Sequence, residues 1–261
     1  MRPLVFILGV LGAVTFAACD TPPIDWTDPV AVPAEQGKGN RLVVDTAGNA
    51  RFVTDSSAEV SINVPGVCPA SIRTARGATS FRAVWWGVRP DSNAVLFMAV
   101  SRDSGKTWGA PIAVDTADVG GSGCRRPPPA VAAVGEDLHI AYSMKAAEGT
   151  GVFFAHYLAS MVHSPVAVIY GDRLVPTAIA AEGDRVVVAY EDPNGTRRQV
   201  AVALSTTQGH IFEQHATASR DVDVATNPAV AIAGRYIAVA WSAPQAADTD
   251  GRRIVRRGRI H

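Results

Sequence analysis

Ser101-Arg102-Asp103-Ser104-Gly105-Lys106-Thr107-Trp108 separates two apolar runs, Leu96–Val100 and Pro111–Val114. A short polar stretch between two such runs is the mark of a β-hairpin. Asp103 is placed to accept hydrogen bonds from amides of its own turn, and Gly105 can take a positive φ that side chains disfavour. Trp108 is expected to re-enter a strand and lay its ring on the sheet. The octapeptide thus predicts a local shape: a strand, a turn closed by an aspartate, and a second strand.

The same arrangement recurs along the chain. Four segments begin with a proline-led strand and reach an aromatic residue about a dozen positions later. They run from Pro69-Ala70-Ser71-Ile72 to Trp85-Trp86, from Pro129 to Tyr142, from Pro176 to Tyr190 and from Pro228 to Trp241. The leading prolines are 60, 47 and 52 residues apart, the period of a four-stranded propeller blade. Two later segments carry worn copies of the octapeptide. Ser205-Thr206-Thr207-Gln208-Gly209-His210-Ile211-Phe212 keeps the Ser, the Gly and an aromatic, with Thr207 in the aspartate's place. His156 to His163 keeps only the position. Beyond residue 18 no stretch sustains the 3.6-residue apolar spacing of a helix.

The octapeptide fits S-x-D-x-G-x-T-W and so resembles the bacterial neuraminidase repeat, or Asp-box, of sialidase-like β-propellers. That resemblance implies an all-β propeller in which Ser101, Asp103, Gly105, Thr107 and Trp108 form a structural turn between the third and fourth strands of a blade. An Asp-box reports a fold and does not by itself report catalysis. Arg41–Val44, Arg51–Thr54 and Val60–Val64 supply an abbreviated first blade, giving five blades, with the six of sialidases as the alternative. Residues 26–32 read like 108–114. They are predicted to add the fourth strand to the final blade, after its third strand at Arg252–Ile260, so that both termini close the ring in one blade.

Met1-Arg2-Pro3 and the apolar run Leu4–Ala18 have the charge order and length of a secretory signal and are short for a membrane span. The segment ends in Phe16-Ala17-Ala18-Cys19, which resembles a bacterial lipobox. The resemblance implies a signal peptide over 1–18, lipid on Cys19, a linker over 19–25 and a single domain over 26–261. An ordinary secretory signal cleaved after Ala18, leaving Cys19 free, is the alternative. Asp20 resembles an inner-membrane retention signal that other bacterial groups read differently. The expected location is therefore the bacterial cell envelope, on the periplasmic side or at the outer membrane.

Lys+Arg and Asp+Glu number 24 each, so net charge offers no case for nucleic acid. Cys68 and Cys124 remain if Cys19 is lipidated, in a compartment where disulfides persist. In the implied propeller each stands just ahead of the innermost strand of consecutive blades, which predicts a Cys68–Cys124 disulfide. Neither has a histidine nearby in sequence, and His139, His156, His163, His210, His215 and His261 form no H-x-x-x-H pair, so no metal site is expected. Gly120-Gly121-Ser122-Gly123 lacks the Lys-Ser/Thr and helix of a phosphate loop, and no cofactor is expected.

The ligand face of a sialidase lies opposite its Asp-boxes. Here that face is predicted to carry Arg89-Pro90-Asp91, Asp115–Pro127, Lys145–Thr150, Glu191–Asn194 and Asp248–Arg252. A sialidase site would require three arginines on the substrate carboxylate, a tyrosine nucleophile with a glutamate, and an aspartate acid/base. Guanidinium suits a carboxylate because it donates two parallel hydrogen bonds. The Arg-Ile-Pro that begins such a set is missing. Arg125, Arg126, Arg89 and Asp91 are the ligand-binding candidates, against a plain reading of Arg125 and Arg126 as a solvated loop. The run Arg252 to Arg259 reads as a charged strand. Glu191 and Asp192 are the acid/base candidates. A Glu-Asp-Pro-Asn turn explains them equally, and Tyr190 aligns with Tyr142 and Trp241 as a packing residue.

The resulting expectation is a monomeric, lipid-anchored propeller whose funnel face binds a glycan or an envelope protein without sialidase turnover. An exo-glycosidase with a rearranged site is the competing reading. A structural module of the envelope is a third, and it predicts a broad exposed apolar patch.

Overall fold

The computed structural model describes residues 23–54, 62, 64–220, 224–245 and 248–261. The predicted signal segment, Cys19 and most of the candidate strand Val60–Val64 lie outside them. The described chain is all β apart from one 3₁₀ turn. First come β1 (Ile24–Trp26), β2 (Val30–Ala31) and the hairpin of β3 (Arg41–Val44) with β4 (Ala50–Val53). One sheet then runs in order through β5 (Arg73–Arg76), β6 (Phe81–Val88), β7 (Ala94–Ser101) and β8 (Ile112–Asp115). The next holds β9 (Ala130–Val134), β10 (Asp137–Ala146) and β11 (Gly149–Leu158), with β12 (Met161–Val162) and β13 (Val166–Gly171) both on β11. After it come β14 (Thr177–Glu182), β15 (Arg185–Glu191), β16 (Val200–Ser205) and β17 (Gln214–Thr217), again in order. The last sheet has β18 (Thr226–Ala233), β19 (Tyr236–Gln245) and β20 (Asp248–Ile260), and on its far edge β1 and β2 pair with β20.

Each sheet is an antiparallel meander whose middle strands are covered on both faces. Trp85 and Trp86 are neighbours in β6, so their side chains leave on opposite sides, yet both are fully buried. On one side Trp86 joins Leu96, Leu138 and Tyr142 in a core shared with the β9–β13 sheet. On the other Trp85 meets Ile62, Ala83 and Ala99, with Trp108 packed against them. Further seams follow between the β9–β13 and β14–β17 sheets around Phe154 and Tyr190, and between the β14–β17 and last sheets around Trp241. Leu42 and Phe52 of the β3–β4 hairpin close against Ala238 and Ala240. The first strands stand side by side in the order β5, β9, β14, β18, β3, so the sheets radiate from a common line of inner strands.

The turn Ser101–Trp108 has the expected chemistry. Asp103 accepts from the Thr107 amide (2.9 Å) and the Thr107 hydroxyl (2.6 Å), and Ser101 Oγ donates to it (2.7 Å). These bonds, the Thr107 hydroxyl first, hold its carboxyl down at about 2. Gly105 sits at φ +88° and its amide donates to Ser101 Oγ. The worn copy repeats the pattern: Gly209, at φ +89°, donates to Ser205 Oγ, and the Ile211 amide donates to Thr207 Oγ1. A hydroxyl thus replaces the carboxylate.

Several boundaries differ from the sequence reading. Pro69–Ser71 is a 3₁₀ turn, not a strand, because Ser71 Oγ donates back to Cys68 O and accepts the Trp86 amide; the strand starts at Arg73. Trp108 packs on the sheet from an irregular segment, since β8 begins only at Ile112. The stretch 26–32 is two strands split at Thr27–Pro29, and Ile24 and Asp25, assigned to the linker, are already in β1. Lys145–Thr150 shrinks to a two-residue turn, because the β10–β11 ladder continues to Ala146↔Gly149. Asp248–Arg252 is strand, not loop, since the β19–β20 ladder continues to Gln245↔Asp248.

Candidate functional site

The connections that lead into the inner strands, and those that join the second strand of a sheet to its third, gather on the face opposite the Ser101 turn. On it the segments 89–93 and 115–127 form one unit built around Asp118. The Asp118 carboxylate accepts the Ala94 amide (2.7 Å) and forms an ion pair with Arg126, Nη1 to Oδ1 at 2.9 Å and Nη2 to Oδ2 at 3.0 Å. Arg126 Nε donates to Gly123 O, and the guanidinium lies 4.9 Å from the Trp86 ring centroid. Arg89 Nη2 donates to Asp118 O, the Gly121 amide donates to Asn93 Oδ1, and the Val119 amide donates to Lys145 O. A Cys68–Cys124 disulfide, with Cα atoms 5.4 Å apart, fastens this loop to the entry of the β5–β8 sheet.

The four ligand-binding candidates are therefore close together but not equivalent. Arg126 is buried and neutralised, which corrects its reading as a solvated loop residue: Asp118, eight residues earlier, folds back onto it. Asp91 closes an Asx turn with the Asn93 amide (3.0 Å), and that bond keeps its carboxyl below the usual range. Arg89 is 3.8 Å from Asp91 and bonded to Asp118. Arg125 alone of the four arginine and aspartate candidates projects as an exposed cation with only a backbone bond, its amide to Ser122 O. Lys145 and Val119 are exposed as well, and the Val119 amide donates to Lys145 O. Tyr170, half exposed, stands beside Gly149 in the same region.

Glu191 and Asp192 lie at the mouth of the β14–β17 sheet. Glu191 is buried and its Oε1 accepts the amide of Asn227, which holds φ +52° at the start of β18. Asp192 Oδ1 accepts the Asn194 amide, forming the turn that the sequence offered as the plain explanation. Arg173 binds that turn by donating to Gly195 O and Asp192 O. Tyr190 is buried, its hydroxyl 3.1 Å from His215 Nδ1, and burial raises its pKa. Among the described residues no group of three His, Cys, Asp or Glu is arranged to hold a metal ion.

No protein-family model matches the chain, and no curated protein matches it in sequence. Among solved structures it superposes on a Trypanosoma rangeli sialidase in complex with the inhibitor DANA with a TM-score of 0.51 and 13% identity, over 87% of this chain and 40% of that one. The fold is that of a sialidase-like β-propeller. An α-L-arabinofuranosidase from Podospora anserina in complex with cellotriose aligns with a TM-score of 0.43 and 12% identity, over 92% of this chain and 98% of that one. A subtype N10 neuraminidase-like protein of A/little yellow-shouldered bat/Guatemala aligns with a TM-score of 0.43 and 8% identity, over 66% of this chain and 51% of that one. The propeller thus spans less than half the length of the sialidase chain.

One constellation in the propeller escaped the sequence reading. His139, His156, His163 and His210 look dispersed in sequence, yet their rings meet at the seam between the β9–β13 and β14–β17 sheets. The only hint available was position: His156 and His163 bound one worn turn, and His210 lies in the other.

Proposed function

We propose that this chain is an exported, lipid-anchored envelope protein whose sialidase-like propeller binds a glycan or protein ligand on the face of the Cys68–Cys124 loop, without sialidase turnover. The signal segment 1–18 and lipidation at Cys19 belong to this reading, as do a five-bladed ring with the β3–β4 hairpin as its abbreviated blade and closure by β1 and β2 on β20. The observation that carries the ligand face is the disulfide-fastened loop that leaves Arg125 and Val119 exposed and is bonded to exposed Lys145 at the end of β10. Sites mounted on rigid elements keep their geometry, and a mixed cationic and apolar rim suits acidic or amphipathic partners. Against turnover stands the commitment of Arg126 to Asp118 and of Glu191 to Asn227, both internal contacts.

The test is a pair of measurements on the mature protein. Binding to an immobilised panel of glycans is expected to weaken in Arg125→Ala/Lys145→Ala while the fold is retained. Release of sialic acid from a fluorogenic sialoside is expected to stay at the level of a heat-killed control. Turnover that disappears in Glu191→Gln or Arg125→Ala would establish the glycosidase reading instead. Incorporation of labelled acyl chains, lost in Cys19→Ser, tests the anchor.

A further inference from the structure

The histidine cluster sits on the opposite face from the proposed ligand rim, at the seam around Phe154. His139 of β10 and His156 of β11 are cross-strand partners, and both are buried. The His163 ring lies 4.8 Å from that of His156, and the His210 ring lies 4.7 Å from it. The rings of His163 and His210 are 6.2 Å apart, so both pack edge to face on His156 and lie near each other. His210 belongs to the turn Ser205–Ile211, which reaches across from the neighbouring sheet. That turn is seated by close contact: a Cβ at Gly209 would fall 2.2 Å from the Phe154 ring, so only glycine fits there. Its Gln208 carbonyl accepts a hydrogen bond from His156 Nδ1 at 3.1 Å.

A carbonyl can only accept, so this bond fixes the proton of neutral His156 on Nδ1 and leaves Nε2 as the atom that would take a second one. A charge there would be buried beside two further imidazoles and the ring of Phe154, which itself packs on Phe212. The groups facing the cluster come from every element around it. From β10 there is Asp137, which favours the charged form of His139 and His156; from the segment after β12, His163; from the β16–β17 connection, His210. Asp184 stands behind the turn, accepting from Gln208 Nε2 and, through its carbonyl, from the Gln208 amide.

We propose that the cluster is an acid-sensitive latch: protonation of buried His139 and His156 releases the Ser205–Ile211 turn from the β9–β13 sheet and opens that seam. Burial lowers the affinity of His139 and His156 for protons, with the neighbouring histidines adding repulsion and Asp137 only partly opposing it. Opening exposes both rings to water, where they take up protons, so acid favours the open state. Lysine or arginine would repel at any pH; histidine makes the contact conditional.

The latch is tested by hydrogen exchange on the mature protein from pH 7.5 to 5, corrected for intrinsic exchange rates. The Gly209 amide, bonded to Ser205 Oγ, reports the turn, the His163 amide, bonded to His156 O, reports the facing side of the seam, and that of Val188 in β15 is the interior control. Exchange at Gly209 and His163 is expected to rise by roughly tenfold per pH unit for each proton taken up on opening, with Val188 unchanged. In His156→Gln, which keeps a donor for Gln208 O but cannot titrate, the rise is expected to shrink. His139→Phe, which keeps a ring against Phe154 but cannot titrate, gives the same test should the first variant fold poorly. Flat exchange in the wild type, an equal rise at Val188, or a rise unchanged in both variants would overturn the latch. So would protection at pH 7.5 that zinc increases and EDTA removes, which would make the cluster a metal site.

Discussion

Asp118 and Arg126 form a fully buried ion pair inside a loop, with side chains 1% and 0% exposed. A buried pair of this kind costs desolvation and returns it only when every oxygen and proton is occupied. Here the Ala94 amide and the Gly123 carbonyl add bonds to the pair, while Arg126 Nη1 is left with its ion-pair contact to Asp118 alone among the described residues. The pair therefore specifies one conformation of the loop, and it removes an arginine from the set available to a ligand.

Removing one partner strands the other. Arg126→Met is expected to destabilise the protein by about 3–5 kcal/mol, because Asp118 stays buried and unpaired. Asp118→Asn keeps an acceptor for the Ala94 amide, so adding it to Arg126→Met should recover part of the loss. Urea denaturation of the two single variants and the double variant closes the cycle. Additive losses would mean that the pair does not act as a unit.

The Cys68–Cys124 disulfide spans 56 residues of sequence. Replacing both cysteines by serine is expected to cost about 2–4 kcal/mol, mostly by freeing the unfolded chain. Two thiols titrated in the unfolded, unreduced wild type would contradict the bridge.

Ser101 and Ser205 are both buried and accept the amides of Gly105 and Gly209 through the same atom at the same spacing. Ser101→Ala and Ser205→Ala should each cost about 1–3 kcal/mol, since each leaves a buried donor unmade. Matching losses in thermal or urea unfolding would show that the worn turn works as hard as the intact one. A neutral Ser205→Ala would show that its resemblance is only geometric.

These turns explain which features were legible. Hydrogen bonds closing a turn run between residues two to four apart, so Asp103 and even Thr207 could be read from spacing alone. Strand alternation and the period of the leading prolines likewise describe one sheet at a time. The pairing of Trp26, Val30 and Ala31 with β20 was recoverable because residues 26–32 repeat another segment's pattern, whereas Ile24 and Asp25 lie outside that repeat. Arg126 and the histidines were not recoverable in that way. The burial of Arg126 depends on how a long connection folds back, and Asp118 was only one of several aspartates that could have met it. The meeting of His156 with His210 depends on how two sheets dock, which no local pattern encodes.

Acid should unfold this protein in two steps of different origin. His139 has its folded pKa pushed down to about 4, mainly by burial, from an unfolded value of about 6.5. Between those values the unfolded chain holds a proton that the folded one refuses. The stability is thus complete above the unfolded value and falls with pH, by about 1.4 kcal/mol per pH unit for one such proton. Glu136 and Asp103 are held at about 2 by hydrogen bonds, chiefly from Ser80 and from the Thr107 hydroxyl respectively. For a carboxylate depressed in this way, stability is present above the unfolded value and is lost as pH falls towards the folded one, so this limb lies lower, from about 4.3 downwards. Glu136 also receives Arg82 and the Thr79 amide, tying the β5–β6 turn to the β9–β10 turn. Glu136→Gln is accordingly expected to flatten the dependence of the urea midpoint on pH below about 4.3 and to leave the limb between 6.5 and 4.3 intact. His139→Phe is expected to do the reverse. If Glu136→Gln flattens the upper limb, or changes neither, the assignment of the lower limb to turn-closing carboxylates is wrong.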